Sequence, residues 1–364
     1  MNNHIPLNSS SAFSRGLLAW DKDHNQRVMP WKGEKDPYRI WLSEIILQQT
    51  RVEQGWTYYT RFIVAYPDIR SLALAPEQEV FKLWEGLGYY TRCRNLLATA
   101  RYIAFERNGI FPETYEEILQ LKGVGPYTAA AISSFAFNLP HAVVDGNVFR
   151  VLARITGDAT PVDSTEGKNV FTSLATRLLD KEFPGRYNQA MMDFGALICK
   201  PRSPRCEECP FSLSCVAKNQ GTIDILPVKA KKIKPRKRWF YYIVIEHGDH
   251  IAIRKRVEKD IWQDLYEFPL VESDKQVGQE ILLRQIEEKR WMEKGFSLRQ
   301  FSPLFKQQLT HQSIAGRFIT IRLDKKPGAM NDWIWIRRER IGDYPFPGYI
   351  NQFLRSAEAA VNPA

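Results

Sequence analysis

The chain has 364 residues, a formal net charge of +10 at pH 7 and an isoelectric point near 9.3. This length exceeds the usual size of one domain, so we expect two, and an apolar fraction of 44% is enough for substantial cores. No apolar run reaches the roughly 18 residues of a membrane span, which excludes a membrane-spanning protein, whereas the positive charge favours a polyanionic partner.

The N-terminal half shows apolar residues at helical spacing and almost no strand-like alternation. We therefore predict that this half is all-α. A helix opened by Pro37 is expected, and further helices are predicted over residues 11–28, 55–66, 77–84, 95–108, 114–121, 127–137, 147–155, 166–180 and 187–198. The first residues lack the basic and then apolar pattern of a secretory signal, so we expect a cytoplasmic protein.

One acidic residue stands on the apolar side of the helix that Pro37 opens. Five residues share a face of that helix at spacings of three and four: Ile40, Trp41, Glu44, Ile45 and Gln48. A helical glutamate is usually exposed, and that alternative stays open. Burial would raise the pKa of Glu44 towards neutrality and make it a usable general acid.

Paired aromatic residues lie in a glycine-containing stretch, WEGLGYYTRCRN, between two predicted helices. Tyr89 and Tyr90 stand beside Arg92 and Arg94, a pattern that suits a loop in contact with DNA, with one ring available to wedge between bases. The alternative is a tyrosine pair in the core with arginines on the surface.

A tight turn joins two helical patterns at residues 123–126, Gly-Val-Gly-Pro. Gly123 and Gly125 allow close approach of the backbone, and the N–H groups at the start of the second helix suit a phosphate oxygen. Twenty residues after Gly125, Asp145 stands in the sequence VVDGN. A phosphate-binding hairpin near a carboxylate is typical of a nucleic-acid active site.

Four of the five cysteines fall in one short, proline-rich segment with the spacing C-x6-C-x2-C-x5-C. They are Cys199, Cys206, Cys209 and Cys215. Because disulfides are rare in a reducing compartment, four thiolates suit zinc or an iron–sulfur cluster, and the spacing alone leaves the metal open. The distant Cys93 is predicted to be an ordinary thiol.

After residue 228 the pattern changes. Residues 229–238, KAKKIKPRKR, hold seven basic residues in ten, which suits either a solvated linker or a segment lying along a DNA backbone. Strands are predicted in WFYYIVIEHGDHIAIRKR, IWQDLYEFPLV, RFITIRL and DWIWIRRE, with a helix over residues 275–289. We therefore predict an α+β domain.

Several of these motifs together resemble a known family. LKGVGPYTAAAI followed by VVDGNVFR resembles the helix–hairpin–helix Gly/Pro…Asp superfamily of DNA glycosylases, and the cysteine loop resembles the 4Fe–4S loop of its endonuclease III and MutY branches. WLSEIILQQTRV and GLGYYTRCRNL are similar to the MutY family, adenine DNA glycosylases that act on adenine opposite 8-oxoguanine. The resemblance implies a 4Fe–4S cluster held by the four cysteines.

The position after the hairpin distinguishes branches of this superfamily. Members that also cut the DNA backbone carry a lysine there, whose amine forms a Schiff base, whereas this chain has Tyr127. The resemblance therefore implies a monofunctional glycosylase in which Glu44 protonates adenine and Asp145 stays ionised and stabilises the sugar cation. Tyr127 and Asn147 would orient this centre.

The resemblance also implies which residues contact DNA and the target base. Around the mispair it assigns contacts to Gln48, Gln49 and either Tyr89 or Tyr90, with Tyr89 favoured as the wedge, and along the phosphates to Gly123 and Gly125. Near the base it assigns Trp31 and Asp193. Two positions depart from the family pattern, since many members have arginine at Lys32 and glutamate at Asp193.

The C-terminal half resembles the Nudix-like fold of MutY proteins. Its predicted helix has Glu280, Glu287 and Glu288 but not the REx2EE order of magnesium-dependent hydrolases, so we predict no pyrophosphatase activity, with a magnesium enzyme as the alternative. In LTHQSIAGRF, Thr310 and His311 align with the family loop that reads 8-oxoguanine. An ordinary strand end is the alternative there.

These patterns predict an all-α helix–hairpin–helix glycosylase domain with an iron–sulfur loop over residues 1–225, a basic linker over 226–238 and an α+β Nudix-like lesion-recognition domain over 239–364. The expected substrate is duplex DNA with adenine opposite 8-oxoguanine or guanine. We expect a monomer of bacterial type, associated with the nucleoid. A bifunctional endonuclease III-like glycosylase/lyase and a non-catalytic protein that binds lesion DNA remain alternatives.

Overall fold

The computed structural model describes residues 10–230, 235–288, 296–325 and 333–361. Part of the predicted basic run, residues 231–234, lies outside this range. The chain divides into two compact units, the first made of Met1–Leu74 and Arg94–Lys231 and the second of Ala75–Cys93 and Lys232–Ala364. Residues 75–93 therefore group with the C-terminal unit, although the sequence placed them in the N-terminal domain.

The N-terminal half is helical, as predicted. Its α-helices are α1 (Ser10–His24), α2 (Pro37–Leu47), α3 (Val52–Ala65), α4 (Ile69–Leu74), α5 (Glu77–Trp84), α6 (Thr91–Arg101), α7 (Tyr115–Leu119), α8 (Pro126–Phe137), α9 (Gly146–Thr156), α10 (Thr165–Leu178), α11 (Pro184–Leu197) and α12 (Val216–Asn219). A π-helical turn, Tyr102–Glu106, follows α6, and a 3-10 turn, Cys206–Glu208, lies in the cysteine loop. Every predicted helix is present, and only the short α4 and α12 were missed.

The helices of the first unit begin where the sequence provides caps. At α2 the carboxylate of Asp36 accepts a hydrogen bond from the backbone N–H of Tyr38, and Pro37 occupies the first turn. Helices α1, α9, α10 and α11 bury a common core of aromatic and aliphatic side chains, of which Phe171 and Phe211 are fully buried. Burial of each such side chain stabilises the fold by roughly 1.5–3 kcal/mol.

The second unit is built on a mixed β-sheet. Its strands are β1 (Arg236–His247), β2 (His250–Lys255), β3 (Tyr266–Glu267), β4 (Leu270–Ser273), β5 (Phe296–Phe301), β6 (Phe305–Gln308), β7 (Gln312–Leu323) and β8 (Ile334–Arg337). Two helices accompany them, α13 (Gln279–Glu288) and α14 (Gly348–Val361). Strands β1 and β7 pair in parallel at the centre, and the other pairings are antiparallel.

Alternation along β1 places a different helix on each face of the sheet. Tyr241 packs in a cluster with Leu282 of α13, whereas the next residue, Tyr242, contacts Tyr349 of α14. Phe318 of β7 also stacks against Tyr349 of α14. The predicted α+β class is confirmed, while β5, β6 and α14 were not predicted.

Segment 75–93 contributes α5 to the second unit. The ammonium group of Lys82 donates to the carbonyl of Tyr344 at 3.2 Å, and the carboxylate of Glu85 accepts from the backbone N–H of Phe346 at 2.7 Å. These contacts join α5 to the stretch that precedes α14. The loop with the paired tyrosines, which follows α5, is therefore held by the C-terminal unit.

Candidate active site

Glu44 lies on the buried face of α2 and is only 5% exposed, so of the two alternatives that the helical pattern left open the structure has the buried one. Burial raises the pKa of Glu44 to about 7; a hydrogen bond from Tyr127 opposes this rise, and the nearby Asp145 adds to it. Its Oε2 atom has no hydrogen-bond partner among the residues that the structure describes. Glu44 therefore has the environment of a carboxylic acid that carries a proton near neutral pH.

Asp145 has a different environment because it caps the N-terminus of α9. Its Oδ1 accepts from the backbone N–H of Val148 at 2.7 Å, and its Oδ2 accepts from Nδ2 of Asn147 at 2.7 Å. Burial raises the pKa of Asp145 above its usual value, and these hydrogen bonds and the nearby Arg150 offset part of that rise. The donors and the helix dipole favour the carboxylate form of Asp145, whereas Oε2 of Glu44 has no hydrogen-bond partner among the described residues.

Tyr127 stands in the first turn of α8 and connects the two carboxylates. Burial of its hydroxyl group, followed by the charges of Glu44 and Asp145, raises the pKa of the phenol well above its usual value. The phenol therefore stays neutral. Its single proton has two acceptors: Glu44, whose pKa this hydrogen bond lowers, and the sulfur atom of Met192 on α11, at 3.6 Å from the hydroxyl group.

Sequence reasoning missed Arg150, a buried arginine that supports Asn147. Its Nη2 donates to Oδ1 of Asn147 at 2.8 Å, and its Nε donates to the carbonyl of Cys199 at 2.7 Å. Since Asn147 in turn donates to Asp145, the arginine fixes the orientation of that amide. The motif VVDGNVFR could have indicated this contact, because Arg150 follows Asn147 by three residues and so lies on the same helix face.

A pocket of about 200 Å³ opens beside Glu44. Its lining includes Trp31, Lys32, Ile40, Ser43, Phe135 and Gln189. Trp31 is buried and packs edge-on against Tyr59 at 5.5 Å between ring centroids. The pocket combines an aromatic wall, a cation and a carboxyl group whose pKa is raised to about 7, which suits a flat, polar heterocycle such as a base.

Asp193, predicted to contact the base, is placed differently. It is fully buried and does not line the pocket. Its Oδ1 accepts from Arg27 at 2.9 Å and from Gln189 at 3.1 Å, while its Oδ2 accepts from Lys32 at 3.0 Å and from Asn25 at 2.9 Å. Both oxygen atoms are thus engaged by the protein, so the structure favours Asp193 as the anchor of Lys32 and Gln189, which do line the pocket.

The hairpin residues lie close to the predicted mispair contacts. Gln48 donates to the hydroxyl group of Thr128 at 3.2 Å and to the carbonyl of Gly123 at 3.5 Å, and Gln49 has a left-handed backbone with φ of 57°. Gly123 has φ of 82°, and a Cβ atom there would lie 2.7 Å from Cβ of Asn95, so only glycine fits. Gly125 caps α8, and a Cβ atom there would meet open space.

In the second unit the predicted wedge and the predicted lesion-reading loop are brought together. Tyr89 is 43% exposed, has φ of 47°, and its hydroxyl group forms a hydrogen bond with that of Thr310. Thr310 and the exposed His311 lie in the turn between β6 and β7. Tyr90, by contrast, is 6% exposed and stacks on Phe81, so it does not fit the role of a wedge.

The four cysteines of the loop surround a cavity that is closed on the other side by α9 and α11. The cavity is lined by Cys199, Cys206, Cys209 and Cys215 together with Arg154, Ile155, Phe194 and Ile198. Four thiols that line one cavity fit an iron–sulfur cluster held by four cysteines. Cys93 lies buried on α6.

Arg154, which sequence reasoning also missed, holds the cysteine loop against α9. Its guanidinium group donates to the carbonyls of Lys200 at 2.6 Å and Pro201 at 3.0 Å and to Sγ of Cys199 at 3.5 Å. It is 3% exposed. A buried cation against a thiolate loop offsets part of the negative charge of cluster ligands.

The acidic residues of the predicted Nudix-like helix, Glu280, Glu287 and Glu288, are exposed on α13. The fully buried Glu267 is paired instead with Arg254, at 2.9 Å, and with Arg256. This arrangement is that of a structural ion pair. The absence of pyrophosphatase activity stays a prediction.

Comparisons with known proteins agree with this geometry. Three family models match: "HhH-GPD superfamily base excision DNA repair protein" over residues 42–169, "Iron-sulfur binding domain of endonuclease III" over 199–219 and "NUDIX domain" over 240–356. The second match confirms the predicted 4Fe–4S cluster. In the part of the chain that the structure describes, no helix is long and apolar enough to cross a membrane.

Curated relatives carry the description adenine DNA glycosylase. The protein of Buchnera aphidicola subsp. Baizongia pistaciae is 36% identical over 258 residues, which cover 71% of this chain and 73% of the relative. The human protein is 33% identical over 337 residues, which cover 77% of this chain and 61% of the relative. Among solved structures, a thermostable thymine-DNA glycosylase matches with a TM-score of 0.54 and 31% identity, over 58% of this chain and 97% of that one.

Proposed function

Since the chain belongs to the adenine DNA glycosylase family, we propose that it hydrolyses the N-glycosidic bond of adenine paired with 8-oxoguanine or guanine in duplex DNA. The observation that carries this proposal is the pair of carboxyl groups with different environments. Glu44 is buried with a pKa of about 7, and Asp145 accepts hydrogen bonds at a helix N-terminus that favour its charged form. Two such groups are what acid-assisted cleavage of a glycosidic bond requires.

The reaction follows from these roles. The adenine leaves the base stack and enters the pocket beside Glu44, which transfers its proton to N7 of the base. Protonated adenine then departs with the bonding electron pair, and the carboxylate of Asp145 stabilises the positive sugar or bonds to it transiently. Water then adds to C1′, any bond from Asp145 to C1′ breaks, and the proton that the water loses passes to the carboxylate of Glu44, which returns the enzyme to its starting state.

Because of the residue after the hairpin, the reaction stops once the base has been removed and the DNA backbone is not cut. Tyr127 has no amine, so it cannot form the Schiff base through which bifunctional members cut the DNA backbone. Its neutral phenol supports Glu44 instead. We therefore propose a monofunctional enzyme, with an abasic site as its product.

The remaining parts of the chain have supporting roles in this proposal. Gln48, Gln49, Gly123 and Gly125 contact the mispaired strands, and Tyr89 with Thr310 and His311 reads the partner of the adenine. We propose the boundaries 1–225, 226–238 and 239–364 for the glycosylase domain, the linker and the lesion-recognition domain. The enzyme acts as a monomer in a bacterial-type cytoplasm, at the nucleoid.

The 4Fe–4S cluster would be held by Cys199, Cys206, Cys209 and Cys215. It would cross-link the loop and hold α11, which ends at Leu197, next to α9. Lys200, Arg202 and Arg205 are interleaved with these ligands and would lie near DNA phosphates.

The decisive test uses a labelled duplex with one adenine opposite 8-oxoguanine, incubated with the protein and then treated with hot alkali. We expect strand cleavage only after alkali, because a monofunctional glycosylase leaves the backbone intact. No cleavage after alkali would refute the enzyme hypothesis, and tight binding without cleavage would then favour a lesion-binding protein. Cleavage without alkali would favour the bifunctional alternative.

A further inference from the structure

The loop that carries Asp145, between α8 and α9, is held by one side chain of α11. Oδ1 of Asn188 accepts from the backbone N–H of Val143 at 3.1 Å, and its Nδ2 donates to the carbonyl of His141 at 2.8 Å. The same Nδ2 donates to the hydroxyl group of Ser134 on α8 at 2.9 Å. One amide group thus joins α8, α11 and the loop.

The amide of Asn188 has only one productive orientation. Its oxygen faces an N–H group and its nitrogen faces a carbonyl. A flipped amide would place its oxygen against the carbonyl oxygen and its NH₂ group against the N–H group, so neither hydrogen bond could form. Asn188 is 2% exposed, and water cannot replace a lost partner easily at such a position. Removing the amide would leave the Val143 N–H and the His141 carbonyl without this partner.

The elements on either side of this amide have little freedom to shift. A Cβ atom at Gly185, three residues before Asn188, would lie 2.5 Å from the carbonyl oxygen of Ser134, so α11 lies directly on α8. Val143 is buried against Ala130 and Ala131 of α8. The loop therefore follows one path, and that path ends two residues later at Asp145.

We propose that Asn188 is a positioning residue for Asp145: through the loop backbone it sets where the carboxylate stands relative to the donors of α9. This inference rests on the proposed glycosylase function. Asn188 does not line the pocket beside Glu44, so it acts without contact with the base. Nothing in the sequence motif YNQAMMDFGALIC distinguishes it from a surface asparagine.

Asp145 is also faced by Glu44 of α2, by Tyr127 of α8 and by Arg150 of α9. Those groups stay in place when the loop relaxes, whereas the hydrogen bonds from Val148 and Asn147 lengthen. The carboxylate then loses stabilisation relative to the carboxylic acid. The acidic limb of the pH–rate profile, which reports ionisation of Asp145, therefore moves to higher pH.

The test compares Asn188→Ala and Asn188→Ser with the wild-type holoenzyme and with Ser134→Ala. The control removes the hydroxyl partner of Asn188 but keeps both bonds to the loop. Single-turnover base excision is measured on the adenine:8-oxoguanine duplex across pH, together with the duplex Kd. We expect the Asn188 variants to lose about 100-fold in rate, the loss typical of a small misplacement, with a Kd changed by less than about threefold.

The position of the acidic limb decides between positioning and a merely structural role. An upward shift in the Asn188 variants, absent from Ser134→Ala, supports the proposal. A rate loss without that shift, or a normal rate, overturns it. If Asn188→Ala does not fold, the same shift of the acidic limb is measured in Asn188→Ser, which keeps one donor and one acceptor. A wild-type enzyme without activity would refute the proposed function instead.

Discussion

Replacing Glu44 by glutamine tests the centre of the mechanism. An ordinary glutamic acid, with a pKa of about 4.3, is protonated in only about one molecule in 500 at pH 7. At a pKa of about 7 the fraction is one half, so burial raises the population of the acid form by roughly 250-fold. Glutamine has similar volume but no proton to transfer, so we expect single-turnover excision to fall by about 10²- to 10⁴-fold.

The pH dependence gives a second readout of the same group. Because the acid form of Glu44 is active and its pKa is raised by burial, the wild-type rate should be high below that pKa and decline as pH rises through about 7. The assay is single-turnover excision of adenine opposite 8-oxoguanine at a series of pH values, with DNA binding measured at each.

A matched control is available on the neighbouring helix. Glu53 lies exposed in the first turn of α3, and Glu53→Gln should change the excision rate by less than about twofold. Full activity in Glu44→Gln, or a rate that does not decline between about pH 6 and about pH 8, would refute the assignment of Glu44 as the proton donor.

Three further predictions follow from the geometry. Asp193→Asn leaves two cations without their carboxylate and should lower the free energy of unfolding by roughly 2–4 kcal/mol in urea titrations; an unchanged midpoint would contradict the anchoring role. Tyr89→Ala should weaken discrimination for 8-oxoguanine at unchanged thermal stability, whereas Tyr90→Ala should lower stability by about 3 kcal/mol, and the reverse pattern would exchange their roles. Cys209→Ser should abolish bound iron and visible absorption, whereas the control Cys93→Ser should keep both. If Cys209→Ser keeps both, Cys209 is not a ligand of the cluster.

Features that repeat along one helix or strand were predictable from the sequence. The position of Glu44 on the same helix face as Ile40, Trp41 and Ile45 was predictable, because a helix face is defined by local spacing, whereas its burial stayed open until the structure showed it. The α+β class of the second unit was predictable from the alternation of apolar and polar residues along its strands. The short α4 and α12 were missed because fewer than two turns give no clear period.

Contacts between distant segments were not predictable in this way. The bond between Tyr89 and Thr310 joins residues 221 positions apart, and spacing within either segment contains no information about the other. The different burial of Tyr89 and Tyr90 also needed the structure, since adjacent residues in a loop have no periodic face. The hydrogen bonds of Asp193 were not predictable for a related reason, because its partner Arg27 lies 166 positions away.

The anchoring of Tyr89 has an entropic consequence for the wedge role that we propose for it. Its backbone is fixed in a left-handed conformation and its hydroxyl group is bound to Thr310, so the ring has few rotamers left to lose. A mobile side chain would lose about 0.5–1.5 kcal/mol on insertion into the stack. In the wedge role proposed for Tyr89, that cost is already met during folding, so the resistance to insertion would come from the duplex itself and weakly stacked mispairs would be the preferred places of entry.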